Sequence, residues 1–485
     1  MNEISFTNLD LIVVSPALCL AGTGFLVVVL SLALRRSVRT LFLGVALAGL
    51  ALAAFLTVRL WDGGASAFNQ MLLADNFALT FNLIFFVGAA LSMLLVFSQH
   101  EQGYLLYAEF FAVTLFATVG MVLMAASTNL LIIFLGLETL SISLYILAGL
   151  KRTEPRSLEA AFKYFLLGAF ASAFLLYGVA FLYGVAGSLD LRAIARLIAS
   201  ASFTENPLLI LGTLLILIGL GFKVAIFPFH LWAPDVYQGA PTPITAFMST
   251  GSKAAGFAAM LRVLFSATNG TAPEIAAILA VVAVLTMSVG NLAAIVQTNI
   301  KRMLAYSSVA HAGYILVGLV AWNEIGAASV IFYLLAYTFM NIGAFAVVSF
   351  LATKEKETLE LRDFRGLVYR GPWIALVMAV FMFALAGLPP TAGFVGKFYL
   401  FSAAVKAGYI PLVILAVINS MVALYYYLGV VVLMFMKEPE KPQTVSGQPV
   451  AVAVSLALAV LGSLGLGLFP SYFMETLERV MSYMM

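Results

Sequence analysis

The chain has 485 residues, of which 63% are apolar and only 10% are charged. Soluble globular proteins carry about 25% charged residues, so this composition excludes a soluble domain and predicts a polytopic membrane protein. The net charge of +3, without a basic cluster among aromatics, gives no sign of nucleic-acid binding. One cysteine and three widely spaced histidines offer no metal-ligand spacing, and no phosphate-binding glycine loop follows a strand. We therefore expect no metal, redox cofactor or nucleotide in this chain.

Apolar segments long enough to cross a bilayer recur along the whole chain. They number fourteen and cover residues 11–34, 38–59, 77–98, 105–126, 129–149, 157–185, 206–229, 243–265, 274–297, 302–322, 325–352, 372–405, 409–436 and 449–470. The first lacks the basic start of a cleaved signal peptide, so we expect it to remain as a helix. The tail after Pro470 is amphipathic and is expected to lie at the membrane interface. The predicted fold is an all-α membrane protein with about fourteen transmembrane helices.

The lysines and arginines outside these segments are unevenly distributed. The loops at 35–39, 151–156, 301–302 and 354–370, with the linker at 437–441, hold most of them, whereas the intervening loops hold few. Because loops rich in basic residues stay in the cytoplasm, we expect both termini on the non-cytoplasmic side. We predict a multi-pass protein of the cell inner (plasma) membrane.

Charged residues inside the apolar segments are the first functional signal, because each costs about 2.5–3.5 kcal/mol at the centre of a spanning helix. Glu138 lies in the fifth segment and Lys163 in the sixth, on neighbouring antiparallel helices. They predict either a buried ion pair that fixes packing or a pair whose proton occupancy changes during turnover. Arg262, near the end of the eighth segment, has either a functional role or a side chain that snorkels to the interface.

The stretch from Gly219 to Arg262 joins the seventh and eighth segments and carries Lys223 and Lys253 on either side of a Pro- and Gly-rich turn. Pro228 removes a backbone donor shortly after Lys223, so the seventh helix must break or end there. Irregular backbone at membrane depth requires surrounding protein or water, which suggests an ion path. His230 follows the proline, and we place it near the cytoplasmic surface, where it either passes protons inward or makes an interfacial contact.

The twelfth segment repeats this arrangement, since Gly387, Pro389 and Pro390 interrupt it shortly before Lys397. Segments seven and twelve cross the membrane in opposite directions, as expected for an inverted repeat of the transporter type. We therefore predict two five-helix repeats, formed by segments 4–8 and 9–13. The predicted domains are residues 1–103 with helices 1–3, 104–265 with the first repeat, 266–436 with the second repeat, and 437–485 with the linker, helix 14 and interfacial tail.

His311 lies in the tenth segment, which corresponds to the fifth in this pairing. A lone histidine on an apolar helix is either a hydrogen-bonded packing residue or a member of a proton relay, because imidazole exchanges protons near neutral pH. Ser307, Ser308 and Tyr314 lie within a turn of it and favour the relay. Buried amines bind or release a proton when charge moves nearby. We expect a polar axis in the membrane plane that runs through Glu138, Lys163, Lys223, Lys253, His311 and Lys397.

Three stretches of the chain resemble a known protein family. They read F-K-V-A-I-F-P-F-H-L-W-A-P-D-V-Y-Q-G-A-P-T-P at 222–243, Q-T-N-I-K-R-M-L-A-Y-S-S-V-A-H-A-G-Y at 297–314 and A-G-L-P-P-T-A-G-F-V-G-K-F at 386–398. All three are similar to the antiporter-like membrane subunits of respiratory complex I, the NADH:quinone oxidoreductase. The D-V-Y-Q-G-A-P motif at 235–241 and the chain length resemble the subunit N type more than the L and M types.

This resemblance implies a proton-translocating subunit that couples electron transfer from NADH to quinone, carried out in other subunits, to proton pumping. The implied proton-channel residues are Glu138, Lys163, Lys223, Lys253 and Lys397, with His311 and His230 as relay candidates. NADH, FMN, iron–sulfur clusters and quinone are then bound by partner subunits. The expected neighbours are the antiporter-like subunit M and small subunits such as K and J. The chain is then part of an enzyme, a translocase, without a redox centre of its own.

Two other classes of function stay open at this point. A multisubunit sodium/proton antiporter, or a related membrane-bound hydrogenase or ferredoxin-linked complex, contains subunits that resemble this chain in fold and in lysines. A structural scaffold without transport would require the buried charges to be inert. Neighbouring genes for flavin and iron–sulfur subunits would distinguish complex I from a sodium/proton antiporter.

Overall fold

The structure, a computed structural model, describes residues 8–34, 39–98, 108–200, 206–268, 273–352, 359–439 and 449–482. The basic loop residues Arg35, Arg36, Lys354 and Lys356 lie outside these ranges, and so does most of the linker at 437–449. The domain boundary predicted at residues 103–104 also lies outside them.

The first part of the described chain is helical apart from one short hairpin. Its helices are α1 (Asn8–Val13), α2 (Ser15–Ala33), α3 (Arg39–Arg59), α4 (Asn76–Leu95), α5 (Ala108–Ala126), α6 (Leu130–Ala148), α7 (Pro155–Ala186) and α8 (Leu191–Ser200). The strands β1 (Ala65–Ala67) and β2 (Leu72–Ala74) precede α4 and pair in antiparallel fashion, with Ala65 opposite Ala74.

The remaining elements are all helical. They are α9 (Pro207–Val224), α10 (Trp232–Gly239), α11 (Thr242–Phe247), a π-helical turn (Met248–Ser252), α12 (Lys253–Thr268), α13 (Pro273–Ile295), α14 (Ile300–Val320), α15 (Glu324–Leu351), a 3-10 turn (Leu361–Phe364), α16 (Leu367–Arg370), α17 (Pro372–Ala386), α18 (Ala392–Lys406), α19 (Ile410–Met436), α20 (Val450–Leu468) and α21 (Pro470–Ser482).

Among the described residues, twelve helices are long and apolar enough to cross a membrane. They correspond to twelve of the fourteen predicted segments. The eighth segment instead forms α11, the π-helical turn and α12, and the twelfth forms α17 and α18. The all-α membrane fold is confirmed, whereas the count of fourteen transmembrane helices and the inverted-repeat layout stay predictions.

Both predicted helix breaks are confirmed, because α9 ends at Val224 and the chain is irregular between α17 and α18. The helix α10 after the first break was not predicted, since its 8 residues are too few for an apolar membrane window. It carries the chain onward from the break and packs against α7 and α14.

Helices α14 and α15 form the centre of the bundle, where nearly all of their residues are buried. Helices α7 and α19 lie at the periphery and expose apolar side chains such as Phe170 and Met421. Helices α5 and α6 pack closely at two glycines: a Cβ added to Gly120 would lie 2.6 Å from the Gly136 carbonyl oxygen. This close approach holds α6, which carries Glu138, firmly against its neighbour.

A buried ion pair joins α12 to the start of α4. The guanidinium of Arg262 binds both carboxylate oxygens of Asp75, at 2.5 and 2.8 Å, and donates to the Ala125 carbonyl at the end of α5. It also lies over the ring of Phe77 at 4.5 Å. Because the Arg262 side chain is only 2% exposed, the predicted alternative of snorkelling to the interface is wrong.

The C-terminal helix α21 is amphipathic, as predicted. It packs against α15, α20 and α4, and its apolar residues Met474, Leu477 and Val480 are buried while Glu475 and Glu478 are exposed. Its location at the membrane interface stays a prediction.

Candidate functional site: a buried row of ionisable side chains

The end of α9 is shaped by a proline that frees a backbone carbonyl. Pro228 has no N–H to donate to the carbonyl of Val224, four residues earlier, and Ala225 adopts a left-handed conformation with φ +59. The indole of Trp232 donates to the nearby Phe222 carbonyl at 2.9 Å. Because Pro228 offers no N–H, the Val224 carbonyl is available to a donor from another helix.

Lys223, the next-to-last residue of α9, points into the bundle and is 3% exposed. Its Nζ donates to the Oγ of Ser141 on α6 at 2.9 Å and lies 3.3 Å from the hydroxyl of Tyr164 on α7. Glu138 lies three residues before Ser141, so both side chains share one face of α6. The carboxylate of Glu138 accepts a short hydrogen bond from the Ser172 hydroxyl. Ser141, which accepts from Lys223, thus lies one helical turn from Glu138.

Lys253 begins α12 directly after the π-helical turn. Such turns are rare and frequently occur at functional sites. Its Nζ donates to the freed Val224 carbonyl at 2.9 Å and to the Ser308 carbonyl on α14 at 2.8 Å. Lys253 therefore connects the broken end of α9 to the centre of the bundle.

His311 lies one turn after Ser308 on α14 and is 1% exposed. Its Nδ1 lies 2.6 Å from the hydroxyl of Tyr333 on α15, and its Nε2 lies 3.0 Å from the hydroxyl of Tyr427 on α19. Tyr427 also forms a short hydrogen bond with Ser307. With a hydroxyl at each ring nitrogen, the imidazole can accept a proton on one side and donate one on the other.

Lys397 repeats the chemistry of Lys253 at the second break. Pro390 has no N–H for the carbonyl of Ala386, and the Lys397 Nζ donates to that carbonyl at 2.9 Å. The same ammonium donates to the Oγ of Ser420 on α19 at 2.9 Å and lies 4.8 Å from the ring centroid of Tyr314 on α14. Its side chain is buried, with 4% exposure.

We name five of these ionisable side chains the buried row; its lysines and its histidine are buried, and Glu138 beside them is half-buried. Its members are Glu138, Lys223, Lys253, His311 and Lys397. Among the described residues, none of the three lysines forms an ion pair with a carboxylate. An ammonium buried without a counter-ion is costly, and its charge responds strongly to charges nearby because the dielectric is low. The row can therefore hold protons whose positions depend on one another.

Lys163 lies outside the buried row, and its predicted pairing with Glu138 is wrong. Its Nζ contacts the carboxylates of Glu159 at 2.7 Å and Asp235 at 2.8 Å, and its side chain is 41% exposed. The partner of Glu138 is Ser172, which lies about 13 Å further along α7 than Lys163 at 1.5 Å per residue. Helical side chains also lean towards the start of their helix, which takes the lysine further from Glu138.

Asp235 connects Lys163 to Arg302 in a group that we name the surface cluster: Glu159, Lys163, Asp235 and Arg302. Asp235 lies in α10, outside the long apolar helices, and accepts from Arg302 at 2.7 Å. Burial alone would raise the pKa of this carboxyl, but hydrogen bonds from Lys163 and Arg302 hold its pKa below the usual range. Beside the cluster lies a cavity of about 170 Å³, lined also by Arg156 and Gln238. The cluster joins α7, α10 and α14.

His230 is also placed differently from the prediction. It is 4% exposed and stacks on the ring of Phe227, rather than lying at the surface. Phe227 donates its N–H to Thr286, midway along α13, so the turn lies deep in the bundle. The difference arises from α10, which separates this turn from the end of the bundle. Within the described ranges, no hydrogen bond joins His230 to the buried row.

Several hydroxyl groups that complete the row were not predicted as site residues. They are Ser141, Tyr164, Ser172, Tyr333, Ser420 and Tyr427. Each is a polar residue in an apolar helix, which is a signal in the sequence, but the sequence does not say which helix it faces. Ser307, Ser308 and Tyr314 were singled out beside His311, and all three contact members or partners of the row.

Comparison with known proteins assigns the chain to a family. A family model described as NADH:quinone oxidoreductase/Mrp antiporter, TM, matches residues 127–423, which include every member of the buried row. The NADH-quinone oxidoreductase subunit N of Trichlorobacter lovleyi is 46% identical to the chain, over 98% of this chain and 97% of that protein. The chain belongs to the NADH-quinone oxidoreductase subunit N family. The subunit N 2 of Roseiflexus castenholzii is 43% identical, over 99% of this chain and 98% of that protein.

Solved structures share the fold of this member of the subunit N family. A chain of respiratory complex I from Thermus thermophilus with bound aureothin has a TM-score of 0.81 and 40% identity, and covers 95% of this chain and 99% of its own length. A chain of the Mrp complex from Dietzia sp. DQ12-45-1b has a TM-score of 0.85 at 23% identity, over 99% of this chain and 98% of its own length. The second match shows a common fold alone, so sequence identity, rather than fold, places this chain with subunit N.

Proposed function

We propose that this chain translocates protons across the membrane as a subunit of NADH:quinone oxidoreductase, with the buried row as its path. The continuity of the row carries the proposal. From Lys223 to Lys397, successive members are joined through the Val224 and Ser308 carbonyls and the ring of Tyr314. Glu138 lies one turn of α6 from Ser141, the hydroxyl that accepts from Lys223. A packing role alone gives no reason for three lysines without ion partners in the described part of an apolar bundle.

Each helix break provides a place to hold a proton. A protonated lysine donates a charge-assisted hydrogen bond to a carbonyl, which is stronger than a bond between neutral groups. Lys253 uses the Val224 carbonyl in this way, and Lys397 uses the Ala386 carbonyl. A proton that leaves either lysine weakens this bond, so movement of charge along the row is coupled to the geometry of the breaks.

The repeat scheme and the orientation are part of this proposal. The first repeat is residues 104–265 and the second is residues 266–436, because each contains a broken helix and a lysine bound to a carbonyl freed by a proline. With both termini on the non-cytoplasmic side of the plasma membrane, the surface cluster and the start of α14 face the cytoplasm.

Electron transfer is assigned to partner subunits, which would bind NADH, FMN, iron–sulfur clusters and quinone. The antiporter-like subunit M and small subunits such as K and J are the proposed neighbours. Exposed apolar side chains along α7 and α19 support contacts with further membrane helices. In this assembly the chain acts as part of a translocase and contributes the proton path.

The alternative, a subunit of a sodium/proton antiporter or of a hydrogenase or ferredoxin-linked complex, is not favoured. Identity to subunit N proteins reaches 46% over nearly the whole chain, whereas identity to the Mrp chain is 23%. A scaffold without transport conflicts with the buried lysines.

Lys253→Met in the complete complex tests the proposal, because Met fills similar space without a proton site. NADH-driven proton uptake into membrane vesicles should fall to near background in complexes that still assemble. Lys406→Met is the matched control, because Lys406 is exposed at the end of α18, and it should pump normally. Full pumping by the Lys253→Met complex would overturn the proposal.

A further inference from the structure

The buried row has one junction that is filled by an aromatic ring. Tyr314 lies on α14, three residues after His311, and its ring stands between that histidine and Lys397. It meets the imidazole edge to face, at 5.8 Å between ring centroids, and lies 4.8 Å from the Lys397 Nζ. The phenol is 1% exposed. A single side chain thus contacts two successive members of the row.

The hydroxyl of this tyrosine is held from α13. The Nδ2 of Asn291 donates to the Tyr314 Oη at 3.0 Å, and its Oδ1 accepts from the Tyr426 hydroxyl at 3.0 Å. The same Nδ2 donates to the Asn419 carbonyl at 3.0 Å, on the turn of α19 that also binds Lys397. All four of these network residues are buried. Asn291 therefore fixes the ring relative to both α14 and α19.

We propose that Tyr314 is a further functional residue of the proton path and that Asn291 is its positioning residue. This inference rests on the proposed function of the buried row. A cation over an aromatic face is attracted by the ring quadrupole, so the position of the ring controls how well Lys397 carries its charge. The ring position in turn depends on the hydrogen bond from Asn291. Tyr314 thereby joins the proton occupancy of His311 to that of Lys397.

Four variants of the complete complex separate the ring from its hydroxyl. Tyr314→Leu removes the ring, and Tyr314→Phe keeps the ring but removes the hydroxyl. Asn291→Leu removes the donor, and the double variant Asn291→Leu/Tyr314→Phe removes both partners of the hydrogen bond. Tyr399→Leu is the matched control, because Tyr399 follows Lys397 by two residues on α18 but packs against Phe332 and Phe398.

The measurement is NADH-driven proton uptake into vesicles, divided by the rate of NADH oxidation, so that poor assembly does not count as lost pumping. Tyr314→Leu should lower this ratio at least about twofold, the smallest effect expected from losing a cation–π contact. Tyr314→Phe and Asn291→Leu should each cause a smaller loss. The double variant should lose less than the sum of the two single losses, because Asn291 acts on the ring through the hydroxyl that Tyr314→Phe already lacks. The control should match the unmodified complex.

Two results would overturn the inference. One is an unchanged ratio in Tyr314→Leu while Lys397→Met loses pumping, which would leave the proposed function standing and remove Tyr314 from it. The other is strictly additive losses in the double variant, as expected if Asn291 only stabilises the bundle. If Lys397→Met itself pumps fully, the proposed function fails first.

Discussion

At the scale of single residues, the chemistry of the site begins with two prolines. An unpaired buried carbonyl costs about 1–3 kcal/mol. α9 and α17 each end at a left-handed residue, and Pro228 and Pro390 have no N–H to offer the last carbonyl of either helix. A lysine from the protein interior satisfies each of them, Lys253 at Val224 and Lys397 at Ala386. The break and the ammonium therefore stabilise each other, which explains why they occur together twice in one chain.

Gly387 gives a direct test of the second break. It has φ +85, and a Cβ there would lie 3.0 Å from Cδ and 3.1 Å from Nζ of Lys397. Gly387→Ala should therefore displace the ammonium and lower proton pumping, besides the backbone strain of about 1–2 kcal/mol. Gly408→Ala is the matched control, since Gly408 has φ +87 with nothing within 4 Å of its added Cβ.

Both glycine variants should lose similar thermal stability in the purified complex, but only Gly387→Ala should lose NADH-driven proton uptake. Equal pumping in the two variants would mean that the position of Lys397 at the break does not matter.

The tyrosines at 425 and 427 test the partner of His311. Tyr427 is buried with its hydroxyl 3.0 Å from the imidazole Nε2, whereas Tyr425 is 71% exposed. Tyr427→Phe should reduce proton uptake about twofold or more, because a lost buried hydrogen bond costs about 0.5–1.5 kcal/mol. Tyr425→Phe should leave uptake unchanged. The measurement is proton uptake into vesicles. Equal uptake by the two variants would count against a relay through Tyr427.

At the scale of whole elements, polar contacts at both ends of the bundle hold the helices around the first break. The surface cluster joins α7, α10 and α14, and the Arg262–Asp75 pair joins α12, α4 and the end of α5. Helices that are interrupted inside an apolar bundle have fewer backbone hydrogen bonds to keep them aligned. Fixed ends compensate for this and keep the first break beside Lys223 and Lys253.

The Arg262–Asp75 pair should therefore be a determinant of stability rather than of proton transfer. Removing one partner of a buried pair costs about 3–5 kcal/mol, because the other charge is left without compensation. Arg262→Gln should lower the melting temperature of the purified complex or prevent its assembly. Arg192→Gln is the comparison, because Arg192 pairs with Asp190 at 2.6 Å but its side chain is 43% exposed, and such pairs contribute about 0–1 kcal/mol.

Thermal unfolding of the two purified variants gives the answer. If the Arg262→Gln and Arg192→Gln complexes melt at the same temperature, the buried pair contributes no more to stability than an exposed pair.

At the scale of the whole molecule, the sequence predicts what is encoded locally. Proline and glycine act on the backbone beside them, so the breaks after Val224 and Ala386 could be located, and a charged residue in an apolar segment is visible without a structure. The partner of each charge could not be predicted. Whether Lys163 meets Glu138 depends on helix tilt and on the direction of the side chain, and the structure gives it Asp235 instead.

The same limit applies to the other differences. Arg262 pairs with Asp75, which lies 187 residues away in the chain. A contact between residues so far apart gives no pattern in the local sequence. His230 was placed at the surface because α10, with 8 residues, is too short to register as a membrane segment. The hydroxyls around the row show the reverse case, because their polarity is visible in the sequence but their direction is set by packing at the centre of the bundle.

The central claim is that protons move through the buried row and bypass the surface cluster. Variants of Lys223 and Lys163 test the two groups separately. Lys223, in the buried row, is 3% exposed and bound to Ser141, whereas Lys163, in the surface cluster, is half-exposed and bound to carboxylates. The decisive measurement is NADH-driven proton uptake per NADH oxidised, in vesicles that hold the complete complex with either Lys223→Met or Lys163→Met. We predict that Lys223→Met loses uptake and that Lys163→Met retains most of it. The opposite order, or full uptake in both, would contradict the account.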